Sequence, residues 1–159
     1  MLHRSRTMQF VFQFTKIVCY SDVFPEGYEA GTLNMPAIWS LHASIDYLTQ
    51  HFEEINNTEK NLMIYLMNGL KVIDGVTIYD NGDLRVATCS INVNGISSDQ
   101  LVSLLDRNGV CVRGGIHCAI LAHEAIGTVS TGAVRLSLNY RNTEQEIDTV
   151  LGILKNVGD

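Results

Sequence analysis

Grouped basic residues are absent from this chain. Its 159 residues carry 11 Lys and Arg against 17 Asp and Glu, for a formal net charge of −6, with no basic block and no interleaving of basic and aromatic residues. Neutralising a phosphate backbone needs clustered cations, so no nucleic acid is expected as a partner. No apolar run approaches the roughly 20 residues of a membrane span, so no membrane association is expected. The four cysteines, Cys19, Cys89, Cys111 and Cys118, form no C-x-x-C pair. Cys118 with His117 and His123 lacks an evident fourth partner, so no metal is expected. No Walker motif, G-x-G-x-x-G fingerprint or internal repeat occurs. Residues 1–20 open with Arg4 and Arg6 and pass through Phe10-Val11-Phe12. Gln13 and Lys16 then break the apolar run, and no small-residue cleavage site follows, which argues against a secretory signal. The expected compartment is a reducing cytoplasm with free thiols.

A hydrophobic content of 46% suffices for one core. Residues 1–20 show no clean period, and Gln9 to Val18 suit a strand or a poorly ordered lead-in. A loop with Pro25, Gly27 and Gly31 leads to Asn34, an N-cap followed by Pro36 in the first turn. A helix from there to about His51 places Ile38, Leu41, Ile45 and Leu48 on one face. A second helix, about Thr58 to Leu70, is apolar nearly all round, which predicts burial on more than one side. Val76 to Tyr79 and Leu84 to Val93 read as strands joined by the turn Asp80-Asn81-Gly82-Asp83. Ser97 with Gln100 opens a helix through a capping box. Leu101, Leu104 and Leu105 form its buried stripe, and Gly109 stops it. Val110 to Val112 reads as a strand, Ala119 to Ile126 as a short helix and Ala133 to Leu138 as another strand. Thr143 with Glu146 caps a last helix whose apolar face is Ile147, Val150, Leu151 and Leu154. This order predicts an α+β fold, a mostly antiparallel sheet with helices packed on one face.

Two residues stand out chemically. Cys118 follows the pair Gly114-Gly115, which predicts a mobile loop. It would sit at the positive end of a helix opened by Ala119, a setting that favours thiolate. The alternative is a half-buried structural cysteine. Arg135 lies in the apolar run Ala133-Val134-Arg135-Leu136-Ser137, where burial without an anion is costly and a carboxylate is the natural bidentate partner. The alternative is an edge-strand arginine reaching back to water. Arg113 offers a second cation near the thiol, or a solvated one. Gly31-Thr32 before the Asn34 cap suits a phosphate, or plain capping. His117 and His123 are read as hydrogen-bonded structural histidines.

Four ordered motifs carry a resemblance. They are Tyr28-Glu29-Ala30-Gly31-Thr32-Leu33-Asn34, Val112-Arg113-Gly114-Gly115-Ile116-His117-Cys118-Ala119, Gly132-Ala133-Val134-Arg135-Leu136-Ser137 and Asn142-Thr143-Glu144-Gln145-Glu146-Ile147-Asp148. In order and spacing they resemble the C-terminal end of the cysteine desulfurases, pyridoxal 5'-phosphate enzymes of fold type I in the class V aminotransferase superfamily. The resemblance runs from about Ser21 to the C-terminus. It implies a small C-terminal domain over 55–159, a linker and long helix over 21–54 joining it to a large domain, and an unmatched lead-in over 1–20. It further implies that Cys118 accepts sulfur from L-cysteine as a persulfide, leaving L-alanine. Arg135 would hold the substrate carboxylate, with Arg113 near the substrate. Gly31 and Thr32 would reach the cofactor phosphate across a homodimer interface. A sulfur-acceptor protein and iron–sulfur cluster assembly follow as downstream partners of such a family.

The chain departs from the family pattern in places. Its lysines are Lys16, Lys60, Lys71 and Lys155, and none stands in the Ser-x-His-Lys setting of the Schiff-base lysine. Ile120 replaces a usual proline, Glu124 a frequent lysine and Arg141 a usual aromatic. The expectation is a truncated desulfurase-like chain without the lysine-bearing domain, inactive alone. Two alternatives remain open. One is a class V aminotransferase or selenocysteine lyase relative, and the other a non-catalytic sulfur carrier, interaction domain or remnant.

Overall fold

A computed structural model of the chain describes residues 32–79, 86–116 and 118–157. The Gln9–Val18 reading, the loop through Gly31, the Asp80-Asn81-Gly82-Asp83 turn and His117 lie outside these residues. The chain divides into two units, Met1–Gln50 and His51–Asp159.

Helix α1 (Met35–Lys71) runs through the boundary between the units. Asn34 caps it as expected, its Oδ1 accepting from the Ala37 N–H at 3.2 Å. The two helices read from the sequence are therefore one. Between Ala37 and Asn68 there is neither glycine nor proline, so nothing interrupts the backbone ladder, and Asn56-Asn57-Thr58 are carried within it. In the first unit, every described residue from Thr32 to Gln50 is exposed, including the stripe Ile38, Leu41, Ile45 and Leu48. Farther along, Leu62, Met63, Leu66, Met67 and Leu70 are buried, whereas Ile64 is 50% exposed. The helix thus buries one face there, not several.

The second unit is built on a four-stranded antiparallel sheet. Its strands are β1 (Val76–Tyr79), β2 (Thr88–Val93), β3 (Arg113–Gly115) and β4 (Ala133–Ser137), in the order β1-β2-β4-β3. The remaining helices are α2 (Ser98–Arg107), α3 (Ile120–Ala125) and α4 (Glu144–Lys155). Strand β2 alternates half-buried and buried residues along its whole length. Cys89, Ile91 and Val93 point into one core with Val134 and Leu136 of β4, the buried face of α1, Leu101 and Leu105 of α2, and Ile147, Leu151 and Leu154 of α4. Each fully buried aliphatic side chain contributes about 1.5–3 kcal/mol of transfer free energy. The α+β architecture with helices on one side of an antiparallel sheet is therefore the observed one.

Both capping boxes form. Ser97 Oγ accepts from the Gln100 N–H, and Gln100 Oε1 accepts from the Ser97 N–H. Thr143 and Glu146 do the same for α4. The Thr143 backbone N–H, followed by the Asn142 side-chain amide, holds the Glu146 carboxyl below the ordinary glutamate range. A lowered carboxyl stabilises the fold above its unfolded value, and that contribution is lost as pH falls through the folded value. Tyr65 of α1 donates to Asp148 Oδ1 of α4 at 2.9 Å, tying the two helices together at the surface.

Strand β3 departs from expectation. Val110 to Val112 are not in a strand, and pairing begins at Arg113 and takes in both glycines. Close packing explains the shift. A Cβ placed on Gly114 would lie 2.6 Å from Val102 Cγ2 and 3.3 Å from the Ser98 carbonyl oxygen. The first turn of α2 therefore lies directly on the strand, and any larger residue at this position would force Val102 and the Ser98 carbonyl to shift. Gly114 is thus packed against α2 rather than part of the mobile loop expected from the sequence, while Gly115, at φ +97°, has open space where a Cβ would stand.

Gly132, just before β4, is constrained twice. Its φ is +65°, and a Cβ there would lie 2.8 Å from Gly115 Cα and 3.0 Å from Ser98 Oγ. Gly127 has φ +71° with open space around it. Gly132→Ala should cost more stability than Gly127→Ala, by roughly 1–3 kcal/mol of added overpacking, read from urea melts. Equal costs would show that the contact with Gly115 gives way freely. The exposed stripe on the first half of α1 gives a second expectation, self-association with binding of a hydrophobic dye. A clean monomer in light scattering that leaves the dye dark would contradict it.

Candidate functional site

The face of the sheet turned away from the helices is polar, because side chains alternate along each strand. On β4, Val134 and Leu136 enter the core, so Arg135 faces the other way. Register then sets its neighbours. Arg135 lies opposite Arg113 of β3 on one side and Ser90 of β2 on the other, and Ser90 lies opposite Tyr79 of β1. Directly opposed residues share a face. Tyr79, Ser90, Arg135 and Arg113 therefore form one row across four strands, and Asn92 sits one position along in β2.

The row sets two arginines directly opposite each other on neighbouring strands. Arg113 is exposed and Arg135 half-buried. Arg135 Nε is buried and has no hydrogen-bond partner, the one such side-chain nitrogen or oxygen among the described residues. A buried unpaired donor costs about 1–3 kcal/mol, more when charged, and an opposed like charge adds to that. An anion on this face relieves both. A carboxylate fits the planar fork of a guanidinium and can accept two parallel N–H bonds.

The strand bearing Arg113 leads directly to Cys118. The Ala119 N–H donates to the Ile116 carbonyl at 3.0 Å, closing a turn with Cys118 at its third position. Cys118 has φ +59°, the one positive value outside glycine among the described residues. That conformation costs an ordinary side chain roughly 1–2 kcal/mol and points to an imposed position. The residue is exposed, as a thiol that reacts with another molecule must be. Cys111 is exposed too, just before β3, and Cys89 is buried in the core.

The remaining candidates are dispersed. Thr32 is exposed in the first unit, and Gly31 lies outside the described residues. His123 is buried, with its Nδ1 2.7 Å from Thr128 Oγ1, which is the structural role read for it. Lys60 and Lys71 on α1 and Lys155 on α4 are exposed. They belong to helices packed on the opposite side of the sheet from Arg135. The described residues therefore place Arg135 and Arg113 on one face of the sheet with no lysine beside them. Among them, no three His, Cys, Asp or Glu residues gather as metal ligands, and no helix is long and apolar enough to cross a membrane. Sequence reading missed Tyr79, Ser90 and Asn92, which the alternation of β2 could have placed beside Arg135 once register was known.

Comparison with known proteins gives a consistent result. The Aminotransferase class-V family model matches residues 7–150, a span that starts upstream of Ser21. A probable cysteine desulfurase of Xylella fastidiosa is 33% identical over 134 residues, covering 84% of this chain and 32% of that protein. One from Synechocystis is 35% identical over 136 residues, covering 82% and 32%. The apo structure of a cysteine desulfurase from Thermococcus onnurineus superposes with a TM-score of 0.74 at 30% identity, covering 84% of this chain and 33% of that one. The chain thus spans about a third of the length of these relatives.

The opposed arginines supply a test that needs no ligand. Replacing Arg113→Gln should stabilise the chain by about 0.2–1 kcal/mol at low salt, and the gain should fade at high ionic strength. Urea melts at two salt concentrations would measure it, and destabilisation at low salt would show that the guanidinium groups do not oppose each other.

Proposed function

Because this chain belongs to the class-V aminotransferase family, we propose that it is part of a cysteine desulfurase-like enzyme. Residues 55–159 are its C-terminal domain, and residues 21–54 are the linker and helix joining that domain to a large one. The observation that carries the proposal is the buried, unpartnered Nε of Arg135, on a face shared with Arg113 and beside the strand that leads to the exposed Cys118.

In this reading Arg135 binds the carboxylate of L-cysteine, and Arg113 adds positive potential beside it. The Cys118 thiol receives the sulfur. The bond between carbon and sulfur of the substrate breaks, a sulfur–sulfur bond forms at Cys118, and the carbon skeleton leaves as L-alanine with the proton that the thiol gives up. No external oxidant or reductant is needed. Pyridoxal 5'-phosphate supplies the electron sink for such chemistry. Its covalent lysine comes from another stretch of polypeptide, since none of Lys16, Lys60, Lys71 and Lys155 stands in the family's Ser-x-His-Lys setting. Gly31 and Thr32 are proposed to meet the cofactor phosphate of a partner subunit in a homodimer. The persulfide then passes to a sulfur-acceptor protein, for iron–sulfur cluster assembly, in a reducing cytoplasm.

The test is a chimera in which residues 21–159 replace the matching segment of the Thermococcus relative. Alanine and sulfur release from L-cysteine are expected. Cys118→Ser should abolish sulfur transfer. Arg135→Ala should raise KM for cysteine by roughly tenfold to a hundredfold, the value of a charge-assisted hydrogen bond. A folded, cofactor-loaded chimera that releases no alanine, or that transfers sulfur without Cys118, would overturn the proposal.

A further inference from the structure

The two strands that carry the site pair along three residues, and just past the last pair Gly132 abuts Gly115, a point that side chains from two other elements hold. Gly132 immediately precedes β4 and approaches Gly115, the last residue of β3, closely enough that a Cβ would fall 2.8 Å from Gly115 Cα. The peptide around Gly132 is fixed from both sides. Ser98, buried in the first turn of α2, donates from Oγ to the Thr131 carbonyl at 2.8 Å. Asn92 of β2 donates from Nδ2 to the Gly132 carbonyl at 3.0 Å and reaches Tyr79 Oη at 3.1 Å. Thr131 Oγ1 adds a bond to the same Gly132 carbonyl at 3.1 Å. The Gly132 N–H is in turn held by the Thr128 carbonyl at 2.8 Å. Gly115 itself has φ +97° and lies three residues before Cys118.

We propose that Asn92 and Ser98 are positioning residues, a two-sided clamp on the Thr131–Gly132 backbone that fixes where the thiol loop leaves the sheet relative to Arg135. The chain of contact is short. Asn92 and Ser98 hold Gly132, Gly132 abuts Gly115, and Gly115 sets the direction of the turn that places Cys118 in its left-handed conformation. Neither side chain touches the thiol. The purpose of the clamp rests on the reading of Cys118 as the sulfur acceptor, but its geometry does not.

Cys111 supplies the control. It is exposed just before β3, at the end of that strand away from Cys118. General loosening of the fold would raise the reactivity of both thiols, whereas loss of the clamp should act on Cys118 alone. The experiment is alkylation of the intact chain by iodoacetamide, with rates at Cys118 and Cys111 read separately by peptide mass spectrometry. It is run on the parent, Asn92→Ala and Ser98→Ala, with urea melts alongside to confirm folding. The ratio of the Cys118 rate to the Cys111 rate is expected to change more than twofold in at least one folded variant, through Cys118. Ser98→Thr, which keeps the hydroxyl, should return the ratio toward the parent value if Ser98→Ala shifts it. A ratio within twofold of the parent in every folded variant, a change shared equally by both thiols, or a change confined to Cys111 would overturn the proposal. Sulfur transfer plays no part in this readout. A shifted ratio in a protein whose chimera fails to release alanine would leave the clamp standing and remove the function, and the converse pattern would do the opposite.

Discussion

Strand β4 occupies the centre of the second unit and meets opposite demands on its two faces. Val134 and Leu136 must be apolar because the helices close over them, and both are almost fully buried. Arg135 between them is then forced to the other face, since side chains alternate with period two. A shift of one residue would drive a guanidinium into the hydrocarbon core, at a cost far above any single contact in the fold. The packing that stabilises the unit therefore also fixes where the cation points. The register of β2 and β3 on either side of β4 then selects Ser90 and Arg113 as its neighbours.

Glycine makes this arrangement compact. Gly114 lets α2 settle onto β3, and Gly132 lets the start of β4 abut the end of β3. Gly114 and Gly115, which look like a mobile loop in the sequence, thus lie against α2 and Gly132 respectively. That restraint is consistent with the backbone of Cys118, whose positive φ would relax in a freely moving segment. A thiol at a fixed exit from the sheet arrives at a reacting partner with less orientational freedom to lose than one on a loose tether.

Local chemistry was legible in the sequence, and tertiary contact was not. Both capping boxes, the Asn34 cap, the β4 strand and the α+β order follow from side chains interacting with backbone a few residues away, and each is present. The errors fall where distant parts of the chain decide. Val110 and Val112 have the stronger intrinsic preference for a strand, yet pairing falls on Arg113-Gly114-Gly115, where Gly114 lets α2 pack closely. Where two helices are expected one exists, because the gap between about His51 and Thr58 holds no glycine or proline to enforce a break. The arginines were found as isolated oddities, Arg135 by its apolar surroundings. Their opposition, and the roles of Ser90 and Asn92 beside them, depend on register, which a sequence fixes only through the completed core. Ser98 was invisible for the same reason. Its place in the first turn of a capped helix looks ordinary until Thr131, far along the chain, comes to meet it.

Two features of the molecule run against the usual economy of a folded unit. A buried guanidinium nitrogen is unpartnered on the polar face of the sheet, and a helical stripe of Ile38, Leu41, Ile45 and Leu48 is open to water. Their chemistry is opposite, one calling for an anion and the other for hydrocarbon, so no single error of packing accounts for both. Each is unfavourable by amounts that matter against a net stability of about 5–15 kcal/mol for an ordinary domain. On the proposed reading both are binding surfaces: the guanidinium is satisfied when substrate carboxylate arrives, and the helix when a large domain packs on it. Binding energy then comes partly from relief of strain already present in the free chain. That gives the two surfaces a common logic, in which each unit sacrifices stability alone to gain it on assembly.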